Sequence, residues 1–199
     1  MDAALADHLP ELAIAAAIAW GAGIRLYAVL LLLGLAGAMG WFALPAHLEV
    51  LSHPLVMAAS GFMALVELLA DKVPWLDSLW DALHTFIRIP AGAALAAAVF
   101  GDAAAATTVT AAILGGTLAA GAHLAKAGAR GAVNASPEPF SNWGLSLAED
   151  ALVPAGMLLA WTYPLLFLVL LAATMAGAFL FLRLIVRGLF ALARRLRPA

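Results

Sequence analysis

The chain has 199 residues, of which 65% are hydrophobic and 11% charged, with 10 Lys/Arg against 12 Asp/Glu. An average soluble domain carries roughly 45–50% apolar and roughly 25% charged residues, and a chain this short has too much surface to cover with so few polar groups. A soluble monomer is excluded, and a mean hydropathy of +1.02 indicates an integral membrane protein. The absence of cysteine removes disulfides, thiolate zinc sites, iron–sulfur clusters and cysteine nucleophiles.

A membrane-crossing helix needs about 20 apolar residues to span ~30 Å of hydrocarbon. The charge-free runs are 12–24, 26–48, 50–66, 89–101, 103–125 and 151–182. The last is too long for one helix, and Trp161-Thr162-Tyr163-Pro164 inside it reads as an interfacial turn. Run 89–101 is too short alone and needs the charged stretch before it. The pattern predicts six helices at about 11–39, 52–71, 75–100, 103–126, 139–161 and 164–187.

This is an all-α, polytopic transmembrane bundle, with residues 1–199 forming one domain. The first hairpin covers about 52–100, the second about 103–161, and a last span with a basic tail 164–199. Arg183, Arg187, Arg194, Arg195 and Arg197 crowd the C-terminus, so the positive-inside rule places that end in the cytoplasm. An even span count then brings the N-terminus to the same side. The acidic start (Asp2, Asp7, Glu11) argues against a cleaved signal peptide.

The remaining ionisable groups fall into two clusters. The first holds Glu67, Asp71, Lys72, Asp77, Asp81, His84 and Arg88; the second holds His123, Lys126, Arg130, Asn134, Glu138, Asn142, Glu149 and Asp150. Each combines a helix ending in charge, a proline-bearing turn and a later Pro-Ala-Gly (Pro90, Pro154), which suggests a degenerate internal repeat of helical hairpins. Asp77, Asp81, His84 and Arg88 follow i, i+3 and i+4 spacing, so they form one polar stripe on a helix. A bare carboxylate in hydrocarbon costs roughly 2.5–3.5 kcal/mol by insertion scales, so these groups must face the bundle interior, a wet cavity or the interface. Asp77, Asp81 and His84 are also a weak metal-ligand set, since no recognised ligand spacing accompanies them. Arg25 interrupts the first apolar segment and calls for an acidic partner from one of the clusters. Arg88 similarly calls for an acid from another helix, with Glu149 or Asp150 the expected partners.

DKVPWLDSLWDALHTFIRIPAGA and AHLAKAGARGAVNASPEPFSNWGLSLAED resemble the signatures of small bacterial inner-membrane proteins grouped as domain-of-unknown-function family 4126. The resemblance covers nearly the whole chain and implies a compact helical protein of the bacterial inner membrane; it implies no activity. A small polar residue is expected near position 25, where this chain carries Arg25.

Convergence of the two clusters on one polar cavity is the expectation that follows. Acids outnumber bases there, which points to a small transporter or channel for a cation or a proton-coupled solute. The alternatives are translocation of an anionic lipid or lipid carrier, with Arg88, Lys126 and Arg130 on the headgroup, and a structural or assembly subunit without transport. An intramembrane enzyme acting on a lipid, with the Asp/His face as base or metal site, stays open as a further class, although no nucleophile–base spacing supports it; no cofactor is expected. Membrane lipids are the expected partners, with an ion or small solute as cargo and a homo-oligomer left open; nucleic acid is not a partner.

Overall fold

Three of the long helices open on a proline. At the first helical position its missing N–H is no loss and its φ is already helical. A computed structural model describes residues 3–134 and 140–195. Among the described residues there are seven helices and no strand. They are α1 (Ala3–Ala38), a 3₁₀ segment (Ala46–Ser52), α2 (Pro54–Ala70), α3 (Pro74–Val99), α4 (Ala105–Asn134), α5 (Phe140–Thr162) and α6 (Pro164–Arg195). At the start of α2, His53 Nδ1 also accepts the Leu55 N–H at 3.2 Å. The expected break at Trp161–Pro164 is where α5 gives way to α6.

The turn between α2 and α3, the last residue of α4 and the first of α5 define a lower end of the bundle. The 3₁₀ segment, the turn between α3 and α4 and the Tyr163 turn define the upper end. His47 in the 3₁₀ segment pairs with Asp102 in the α3–α4 turn at 3.1 Å, tying two parts of the upper end together. Helices α2, α4 and α6 therefore descend, and α3 and α5 ascend. Pro90 and Pro154 both lie in ascending helices. Exposed aromatics mark both ends, with Trp75, Phe140 and Trp143 below and Trp41 and Tyr163 above. Such girdles sit at membrane–water interfaces. Between them Leu65, Leu69, Phe86, Ile113 and Val169 are exposed, which suits a hydrocarbon surround.

Helix α1 is not a straight rod. Its dihedrals leave the helical region at Arg25 (φ −141°, ψ 73°). A Cβ built on Gly21 would lie 2.8 Å from Val29 Cγ2, whereas a straight helix would hold these positions about 12 Å apart. Leu12 and Ala15 share a cavity with Phe100 and Ala103 of the upper end, while Gly37 packs on Leu44 and Ser52, also at the upper end. The two halves of α1 thus enter from above, meet at Arg25 and return. Small residues permit this insertion: a Cβ on Gly92 would lie 2.5 Å from that of Ala119, so α3 and α4 approach closely beside the first half.

This geometry bears on two expectations. Among the described residues four helical stretches are long and apolar enough to cross a membrane (His8–Ala38, Trp75–Val99, Ala105–Asn134, Pro164–Gly188), or five if the 3₁₀ segment and α2, bent by 71°, count as one span. The six straight spans expected are not confirmed: α5, which carries Glu149 and Asp150, is not among these stretches, and α1 doubles back. The N-terminal end of α1 also lies at the upper end and the C-terminal end of α6 at the lower, so these two helix ends lie at opposite ends of the bundle.

Candidate functional site

The break in α1 sets up the site. Residues on either side of Arg25 lose the i→i−4 ladder, so carbonyls at the end of the first half need other donors. Lys126 Nζ donates to one of them, Ile24 O, at 3.2 Å. The ammonium also lies at a helix C-terminus, where the dipole favours a cation. The same break projects Arg25, 2% exposed, into the lower half of the bundle.

There it meets acids from both sequence clusters. Arg25 Nη1 is 2.5 Å from Asp71 Oδ2, and Nη2 is 2.9 Å from Asp150 Oδ1 and 3.6 Å from Glu149 Oε2. The Arg25 guanidinium also donates to Ser146 O at 3.2 Å and Ser146 Oγ at 3.1 Å. The acidic partner expected for Arg25 is therefore present three times over.

Asp71 is the hub. It caps the C-terminus of α2, where the dipole opposes a carboxylate, and it is 0% exposed. Three cations offset that cost at one oxygen: Arg25, Arg130 Nη2 at 3.1 Å and Lys126 Nζ at 3.6 Å from Oδ2. Its backbone carbonyl accepts from Arg130 Nη1 at 3.1 Å and Asn142 Nδ2 at 3.2 Å, so a helix end is satisfied by side chains from α4 and α5. Arg130 in turn forks onto Glu149, with Nη2–Oε2 at 2.8 Å and Nε–Oε1 at 3.2 Å, and donates to Asn142 Oδ1 at 2.8 Å.

Arg88 organises the other side. It pairs with Glu67 of α2 and, at 2.6 Å, with Asp81 of its own helix. An acid from another helix was expected, and one is there; but it is Glu67 rather than Glu149 or Asp150, which Arg25 and Arg130 hold instead. Arg88 Nη1 also lies 3.2 Å from His123 Nδ1. A guanidinium has no acceptor, so that nitrogen accepts and the ring proton sits on Nε2, 2.7 Å from Thr85 Oγ1. Thr85 donates its own proton to Asp81 O at 3.0 Å, which leaves its oxygen free to accept. His84 places Nδ1 2.9 Å from the Trp80 carbonyl and Nε2 3.1 Å from the Tyr27 hydroxyl, just past the break in α1.

The polar stripe on α3 is therefore real and faces inward, but its members diverge. Asp81 goes to Arg88 and Lys126, His84 to Tyr27 and Trp80, and Asp77 to Asn134 Nδ2 at 3.2 Å with Arg130 Nε at 3.7 Å. Among the described residues no three acid or histidine side chains converge as a metal would require. Lys72 stands at the lower rim, donating to Ser146 Oγ at 2.8 Å. Glu138 lies outside the described residues.

Sequence reasoning missed Tyr27, Thr85 and Ser146. Ser146 lies four residues after Asn142 and three before Glu149, so helical spacing from those two was the available signal. The two clusters do meet, in an ion-pair network that joins α1, α2, α3, α4 and α5. Among the described residues five buried carboxylates (Glu67, Asp71, Asp77, Asp81, Glu149) stand against four buried cations (Arg25, Arg88, Lys126, Arg130). The more exposed Asp150 and Lys72 cancel one another, so these described residues carry a surplus of one negative charge with the histidines neutral. One oxygen each of Glu67, Asp71, Asp77 and Asp81 is buried without a hydrogen bond among the described residues.

An inserted, broken helix whose tip joins an ion-paired interior defines a helical membrane protein with a buried charge cluster. The chain belongs to the family described as Domain of unknown function (DUF4126), whose profile matches residues 12–184. No curated protein and no solved structure matches it.

Proposed function

We propose that the protein is a small proton-coupled transporter of the bacterial inner membrane, with the charge cluster as its coupling site and the C-terminus in the cytoplasm. The observation that carries this is the unbalanced charge at the tip of a broken helix. Surplus charge in a low-dielectric interior is costly until something neutralises it. A proton needs only one oxygen, whereas a metal ion needs several converging ligands. Discontinuous helices that bring polar groups to the bundle centre are also how many transporters build their sites.

We assign the exchanged proton to Asp77. It is fully buried and the one cation within 4.0 Å of it among the described residues, Arg130, is 3.7 Å away, while the other buried acids have cations at 3.1 Å or less. The pairing of the α2–α3 and α4–α5 hairpins around the cluster belongs to the same proposal, as equivalent halves that move against each other. No catalytic step is assigned.

The test is proton flux in liposomes that enclose a pH-sensitive dye, under an imposed gradient, with a panel of cations and small solutes. Wild type should dissipate the gradient when its cargo is present. Asp77→Asn should lose that response while keeping its helical content and elution volume. Wild-type protein that moves neither protons nor any solute of the panel would overturn the proposal. The competing reading is a structural subunit, favoured by the dense pairing of Arg25, Arg88, Lys126 and Arg130. That engagement also counts against the anionic-lipid alternative, since those cations are already committed to acids.

A further inference from the structure

Above the charge cluster lies a second feature, which the transport reading does not use. A cavity of about 810 Å³ opens between the first half of α1, the upper end of α3, the upper half of α4 and Leu168 of α6. Its walls are apolar, with Ala96, Ala111, Leu118 and Leu168 among them, and its polar residues are His8, Glu11, Thr107 and Thr110. The wall on α4 runs from Ala106, beside the first residue of that helix, down to Leu118, about 18 Å at 1.5 Å per residue. One leaflet contributes about 15 Å of the ~30 Å hydrocarbon layer, so the cavity has the depth of a single leaflet.

The rim has a definite charge. Glu11 is exposed there with His8 Nδ1 3.3 Å from its Oε2, and Asp102 stands in the adjoining α3–α4 turn with its side chain 84% exposed. Lys and Arg are absent from the upper end among the described residues; Arg25 and the other basic groups sit in the lower half or beyond it. A phosphate without a compensating cation is repelled at such a rim, and an ammonium is attracted.

We propose that this cavity is a site for one membrane lipid of the upper leaflet. An acyl chain lies along α4, and an ammonium-bearing headgroup of the ethanolamine type sits at Glu11. Apolar walls with a few polar groups at one end are the general form of such sites. The site is independent of proton coupling and would stand if that reading failed.

The full chain, stripped of lipid in detergent, is incubated with mixed micelles holding equal amounts of phosphatidylethanolamine and phosphatidylglycerol, and retained lipid is counted by native mass spectrometry. One phosphatidylethanolamine per chain is expected, favoured severalfold over phosphatidylglycerol. Ala111→Trp fills the cavity and should abolish retention. Thr107→Trp, at an exposed position, blocks the rim and decides the matter if the first variant does not fold. Glu11→Gln should keep a lipid bound but lose the headgroup preference. Equal retention of the two lipids by wild type, no retention, or undiminished retention in the blocked variants would each overturn the proposal.

Discussion

Arg88 shows what single side chains contribute to this interior. It is 0% exposed and holds Glu67 and Asp81 together. Burying an ion pair is seldom a net gain, since desolvation consumes most of the Coulombic attraction, but removing one partner leaves the others charged and unpaired. Arg88→Met should therefore destabilise the protein by about 3–5 kcal/mol. The triple variant Arg88→Met, Glu67→Gln, Asp81→Asn should recover most of that loss, because no uncompensated charge remains. Thermal unfolding in detergent measures both. A triple variant as unstable as the single one would mean that Arg88 matters through packing or through His123, and not through charge. The inward-facing residues themselves were legible from spacing, because a carboxylate in hydrocarbon has few places to go. Their partners were not. Pairing depends on which helices are neighbours, and a polar stripe on α3 says nothing of whether α2 or α5 lies against it; that is why Glu67 and not Glu149 meets Arg88.

At the scale of elements, α1 departs most from expectation. Hydropathy registers the length of an apolar stretch and is blind to its direction, so residues 11–39 read as one long crossing. The signals of reversal were Arg25 and the glycines before it, and these became decisive only once Asp71, Glu149 and Lys126 were seen around the break. The reversal has a direct test in the coupling between Gly21 and Val29. Gly21→Leu should cost about 1–3 kcal/mol by overpacking against Val29 and Val153. Val29→Ala should make room, so the double variant should be more stable than the sum of the single effects by at least 0.5 kcal/mol, a typical coupling for residues in contact. In an unbroken helix the two positions would be about 12 Å apart and their effects would add. Additivity in a thermal or chemical unfolding series would show that α1 does not fold back. Where hydropathy was combined with proline and aromatic punctuation the reading held: the α5–α6 boundary, the starts of α2 and α3 and the long α4 all fall within a few residues of expectation, apart from the lower end of α4, which continues to Asn134.

For the whole molecule, the reversal of α1 changes the number of passes through the bundle from even to odd. Five descending or ascending helices follow a hairpin that enters and leaves by the upper end, so the first and last helix ends lie at opposite ends of the bundle. Charge agrees with this better than with a shared side. Beyond the buried cluster, Lys72, Arg183, Arg187 and Arg194 all belong to the lower end, while the turns of the upper end carry Glu49 and Asp102 without a Lys or Arg. The first half of α1 begins at that upper end, beside Glu11. Lysine and arginine near span ends are retained in the cytoplasm, so the lower end should be cytoplasmic and the N-terminal end outside it. Helix α6 fits the same placement. Arg183 comes 19 residues after Pro164, about 29 Å down the helix, where a span of ~30 Å meets the headgroups, and the following basic turns continue past it toward anionic lipid. The acidic N-terminus, which lent nothing to a cytoplasmic placement, is accounted for without further assumption. A reporter active only in the cytoplasm, fused to either terminus, should therefore light up at the C-terminus and stay silent at the N-terminus, and one active only outside should do the reverse. Both termini reporting from the cytoplasm would mean that α1 crosses the membrane, and the insertion of Arg25 from the upper end would then be wrong.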